Sequence, residues 1–92
     1  MDNEEILSLR AQIDKTDDEL CELLKKRFSL VKRIGAVKEN NGLSVCDKAR
    51  ESAVNERIAA RFECAAEKEA AKNVYKTIIE QSKKLQLRSD EK

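Results

Sequence analysis

The sequence predicts an all-α protein, and three observations carry that expectation. There is no proline and only two glycines, so little in the chain interrupts a helix. Charged residues make up 40% of it, and Ala, Glu, Lys, Leu and Arg, all strong helix formers, dominate the composition. Apolar residues recur at alternating spacings of three and four, the period of one helical face rather than of a strand.

The first helix is expected over about residues 3–39. Along it Ile6, Leu9, Ile13, Thr16, Leu20, Leu23, Arg27, Leu30, Ile34 and Val37 form one seam. Gly35 costs roughly 1 kcal/mol inside that helix without stopping it, whereas Asn40, Asn41 and Gly42 end it. Such a helix is about 50 Å long at the usual rise per residue, and a compact globule of this chain length is only about 32 Å across. It therefore overhangs its own chain and leaves Ile6, Leu9 and Ile13 uncovered, which predicts an intertwined homodimer. A second helix is expected over 47–65, with Asp47 as its N-cap and Val54, Ile58, Phe62 and Ala65 on one face. The third covers 67–87, with Ala71, Val74, Ile78 and Leu85 as its stripe, and the tail 88–92 is expected to fray. Together these make a single domain over residues 1–92, without repeat or linker.

Composition narrows the function. A chain of 92 residues buries only about 60% of its unfolded surface alone, which again favours a partner. The formal net charge is +1 with both signs interspersed, so neither a nucleic acid nor an acidic membrane surface is an expected partner. No apolar run approaches the ~20 residues of a membrane span, and Asp2, Glu4 and Glu5 open the chain where a signal segment is basic, so the protein is expected in the cytoplasm. Cys21, Cys46 and Cys64 are odd in number and far apart, and histidine is absent, which argues against a disulfide framework and against a bound metal. Nucleophilic catalysis by a Ser-His or Cys-His pair is excluded for the same reason. Chemistry in this chain falls to fixed charges and amides.

Arg27 is the position that breaks the apolar seam. Its guanidinium keeps its proton, so placing it among Leu23, Leu30 and Ile34 requires an anion or a route to water. Lys38 follows three turns later, about 20° from Arg27 around the helix and roughly 16 Å along it, so a small anion can lie between two cations on one face. A carboxylate from another helix is the plainer alternative. Arg10 lies about 25 Å from Arg27 and about 100° around the helix, so if both serve one small ligand, Arg10 comes from a partner chain. Ser82 and Gln86 bring polar groups to the face of the third helix carrying Ile78 and Leu85. Taken singly, Ser82 can bond back to its own helix and Gln86 can be a solvated helix end. Asp47, Arg50 and Glu51 cluster at the start of the second helix, either as a cap with surface ion pairs or as carboxylates that recognise a hydroxyl, with Arg50 orienting them.

The pattern of these residues resembles the all-helical chorismate mutase family, the AroQ type. Its matching elements are Leu9-Arg10, Arg27, Ile34-Gly35-Ala36-Val37-Lys38, the stretch Val45-Cys46-Asp47-Lys48-Ala49-Arg50-Glu51, and Ile78-Ile79-Glu80-Gln81-Ser82 with Gln86, over nearly the whole chain. The resemblance implies a domain-swapped dimer with two equivalent sites and a Claisen rearrangement of chorismate to prephenate, without cofactor, metal or proton transfer. It implies that Arg27 and a partner-chain Arg10 bind the substrate carboxylates with help from Ser82. The resemblance further implies that Lys38 and Gln86 donate to the ether oxygen, that Asp47 and Glu51 meet the ring hydroxyl, and that Arg50 holds a carboxylate or its neighbours. Because Gln86 does not titrate, the rate is expected to be nearly flat with pH around neutrality. Many relatives have a proline where this chain has Ser44, which implies a more mobile loop here. An isochorismate pyruvate lyase on the same frame and a non-catalytic helical dimer are the competing readings. The chain is also expected to act as a monofunctional enzyme.

Overall fold

The computed structural model describes residues 3–87, which form three α-helices and, among the described residues, no strand. They are α1 (Glu4–Asn40), α2 (Lys48–Ala59) and α3 (Ala65–Leu87). The tail expected to fray, 88–92, lies outside the described residues. The chain divides into two units, Met1–Leu30 and Val31–Lys92.

In the first unit, Asn3 caps α1: its Oδ1 accepts from Ile6 N at 2.8 Å, and Glu4 and Glu5 complement the helix dipole in the first turn. The seam read from sequence is open along this unit. Ile6, Leu9, Ile13, Leu20 and Leu23 are all exposed, Leu23 at 64%, while Leu24, Arg27 and Phe28 are half-buried.

The second unit begins with the end of α1, where Val31 and Gly35 are buried and Lys38 half-buried while Ile34 and Val37 remain exposed. The covered residues here are therefore displaced around the helix from the apolar seam. Gly42 terminates α1 with φ of 65°, a left-handed conformation that costs glycine nothing. Gly42 N donates to Glu39 O at 3.2 Å and Leu43 N to Lys38 O at 2.8 Å, the paired bonds of a Schellman cap. The loop that follows is tied at Ser44, whose Oγ accepts from Cys46 N at 3.2 Å.

Asp47 caps α2 as expected, its side chain accepting from Arg50 N at 3.0 Å. That helix stops at Ala59, not near 65. Arg61 N donates to Ile58 O and Phe62 N to Ala59 O, three-residue closures that tighten the end of the helix, and Lys68 Nζ reaches back to Ala59 O at 2.8 Å. Phe62, placed on a helical face by the sequence pattern, instead lies in the turn and lines a cavity of about 500 Å³ with Ile58, Ala70, Ala71, Val74 and Tyr75. α3 starts two residues earlier than expected, at Ala65. α2 packs against α3, with Val54 buried and Ile58, Ala59, Ile78 and Ile79 half-buried. Among the described residues, only Val31 and Val54 are buried hydrophobics, which is a small core for three helices.

Candidate functional site

In the second unit, Lys38 on the last turn of α1 donates from Nζ to Gln86 Oε1 and to Val45 O, each at 3.1 Å. Its own carbonyl is fixed by the Schellman cap, so the backbone that carries the ammonium is held from both sides. An ammonium has three N–H groups, and these two bonds leave a third for a ligand oxygen. Gln86 turns its carbonyl to the lysine, which leaves its Nε2 amide as a donor. Lysine and glutamine thus form one preset donor group with a full positive charge.

Gly35 is what allows this approach. A Cβ built there stands 2.5 Å from the Gln86 carbonyl oxygen and 2.7 Å from its Cα, so any side chain forces the backbone of α3 away. The sequence pattern reads Gly35 only as a tolerated cost. A glycine inside an otherwise uninterrupted helix is a signal of close packing, and that signal is missed when the residue is treated as a propensity penalty alone.

The remaining predicted residues sort unevenly. Ser82 is buried, at 4% exposure, and its Oγ donates back to Ile78 O at 2.6 Å, so it must rotate about χ1 before it can serve a carboxylate. Asp47 and Arg50 are exposed at the start of α2, with one carboxylate oxygen of Asp47 committed to the cap. Glu51 is not the surface partner of Arg50 that the simpler reading expects. It turns toward α3, where its Oε2 meets Lys83 Nζ at 3.3 Å. Lys83 was missed by the sequence pattern, although it follows Ile79 by four residues and precedes Gln86 by three, on one row of α3. Arg10 and Arg27 lie in the first unit, Arg10 exposed and Arg27 half-buried. Lys38, Val45, Gln86, Glu51, Lys83 and Ser82 all belong to the second.

Among the described residues, no group of three or more His, Cys, Asp or Glu side chains is placed to hold a metal ion. No helix is long and apolar enough to cross a membrane, again among the described residues. Cys21, Cys46 and Cys64 are free and exposed thiols.

The chain is thus all-helical among its described residues, with Lys38 near the end of α1 bonded to Gln86 near the end of α3. Residues 9–87 match the model of the chorismate mutase type II family, and the chain belongs to that family. A bifunctional chorismate mutase/prephenate dehydratase of Aquifex aeolicus is 40% identical over 55 residues, 60% of this chain and 15% of that protein. A T-protein of Haemophilus influenzae is 41% identical over 51 residues, 55% of this chain and 14% of the relative. The matches thus take in only about a seventh of each of these relatives.

Proposed function

We propose that this chain is a chorismate mutase that rearranges chorismate to prephenate in aromatic amino-acid biosynthesis, working in the cytoplasm as a domain-swapped homodimer. The observation that carries the reading is the Lys38–Gln86 pair, held at 3.1 Å beside Gly35. In a Claisen rearrangement the ether carbon–oxygen bond breaks while a carbon–carbon bond forms, and negative charge grows on the ether oxygen. The third N–H of Lys38 and the Nε2 amide of Gln86 are donors of the right kind for that oxygen. They act more strongly on the transition state than on the ground state, because the charge they face is larger there. No step moves a proton to or from the protein, so a chain without histidine suffices.

Arg27 and Arg10 of the partner subunit clamp the two carboxylates, with Ser82 assisting once it releases Ile78. Arg50 adds its charge at the start of α2, and Asp47 and Glu51 accept from the ring hydroxyl. Holding both carboxylates folds the flexible side chain into its reactive form, which converts binding energy into rate. The dimer is supported by the open seam of α1, where Ile6, Leu9, Ile13, Leu20, Leu23, Leu30, Ile34 and Val37 are exposed in the single chain. The small core of the chain supports it too. Neither nucleic acid nor membrane enters this reading, and exposed free thiols suit a reducing compartment.

The test is to incubate the purified protein separately with chorismate and with isochorismate, identifying products by chromatography. Prephenate from chorismate is the expected result. Salicylate and pyruvate from isochorismate, with little prephenate, contradict it in favour of a lyase, and no reaction with either leaves a helical binding module.

A further inference from the structure

Glu51 leaves the first turn of α2 with its side chain only 24% exposed, and its Oε2 is buried. Lys83 Nζ stands 3.3 Å from that oxygen as a charge partner, yet no hydrogen bond reaches it. One helical turn further along α2, Asn55 Oδ1 is also buried without a hydrogen-bond partner. Residues four apart are neighbours on a helix surface, so the two unsatisfied acceptors share one face. Two acceptors cannot satisfy each other. An asparagine amide, however, presents a donor in place of its acceptor after a half-turn about χ2.

We propose that Lys83 and Asn55 are positioning residues for recognition of the ring hydroxyl: together they hold Glu51 Oε2, so that Oε1 faces the substrate as a fixed acceptor. The inference rests on the mutase reading above and extends it to residues outside the predicted set. Lys83 holds the carboxylate from α3 and offsets its charge, which otherwise repels a substrate carrying two carboxylates. Asn55, with its amide turned, donates from within α2. A lysine that served only as a strut between the helices would act on stability alone, and the amide would have no bearing on the substrate.

The experiment compares wild type with Lys83→Met, Lys83→Arg and Asn55→Leu, using chorismate and an analogue whose ring hydroxyl is replaced by hydrogen. Melting temperature is followed alongside steady-state kinetics. Loss of a fixed acceptor geometry lowers kcat/KM for chorismate about tenfold in Lys83→Met and in Asn55→Leu, mainly through KM. The analogue, which has no hydroxyl to place, reacts within about twofold of its wild-type kcat/KM in the same variants, and Lys83→Arg restores most of the loss because it keeps the cation. Equal losses on both substrates, or a lowered melting temperature with unchanged kinetics, overturn the proposal. Should Lys83→Met fail to fold, Asn55→Leu carries the same comparison. A wild type inert toward chorismate overturns the mutase reading itself, a result distinct from an active wild type that is indifferent to these variants.

Discussion

Residues 31–87 hold several of their polar groups in close, fixed contacts, whereas along residues 4–30 the apolar seam is open to solvent. In the later unit a glycine meets a helix backbone, a Schellman cap closes α1, and Lys38 is tied to Val45 and Gln86. In the earlier one Leu9, Ile13, Leu20 and Leu23 are each more than half exposed, with Arg10 exposed among them. Preorganised polar contacts and exposed apolar surface are thus divided between two stretches of one chain. The Lys38–Gln86 pair forms within the single chain, while the first unit carries exposed apolar surface, the ground for the proposed dimer.

The largest effect is expected from breaking the open seam. Ile13→Glu places a carboxylate on the exposed seam that the proposed dimer would cover, at an expected cost of several kcal/mol. Light scattering is expected to show monomers at micromolar protein and the assay to show almost no turnover; a fully active dimer refutes this use of the seam. Lys38→Met comes next, removing the charge proposed to stabilise the ether oxygen while leaving the seam alone. It is expected to lower kcat about a hundredfold, or ~3 kcal/mol of barrier, with the dimer intact. A smaller loss follows from Gly35→Ala, which pushes Gln86 off Lys38. A drop of about tenfold in kcat with about 1–3 kcal/mol of lost stability is expected, measured by kinetics and denaturant unfolding, and an unchanged rate shows that the close approach is dispensable. The smallest effect is that of pH: with Gln86 as the amide donor, kcat is expected to vary less than about twofold between pH 6 and 8. A steep acid optimum near pH 5 means that a carboxyl group donates instead.

The helical frame was legible because spacing and stop signals are local. Asn40, Asn41 and Gly42 end α1 as read, and Asp47 caps α2. The family was legible from the same residues, and the matched span of 9–87 bears that out. The end of α2 was not legible, because a lysine nine residues on, Lys68, closes it by bonding to Ala59, and no propensity encodes that reach. The pairing of Lys38 with Gln86 followed from the family pattern, but the reason the two can meet, the bare Cα of Gly35, lies in tertiary packing. The mobility expected of the loop at Ser44 is countered locally, because its Oγ accepts from Cys46 N. Glu51 shows the limit most clearly: sequence neighbours pointed to Arg50, and its partner is Lys83, on another helix.

The proposed site is shared between two chains, with Arg10 given to the partner's Lys38. Mixing inactive Arg10→Ala protein with inactive Lys38→Met protein, unfolding and refolding them together, and assaying prephenate formation tests that sharing. In a shared site each mixed dimer has one site carrying both lesions and one carrying neither. Mixing is then expected to recover about a quarter of the wild-type rate at equal proportions. If Arg10 serves the site of its own chain, every site in the mixture stays defective, and the mixture remains as inactive as its parents.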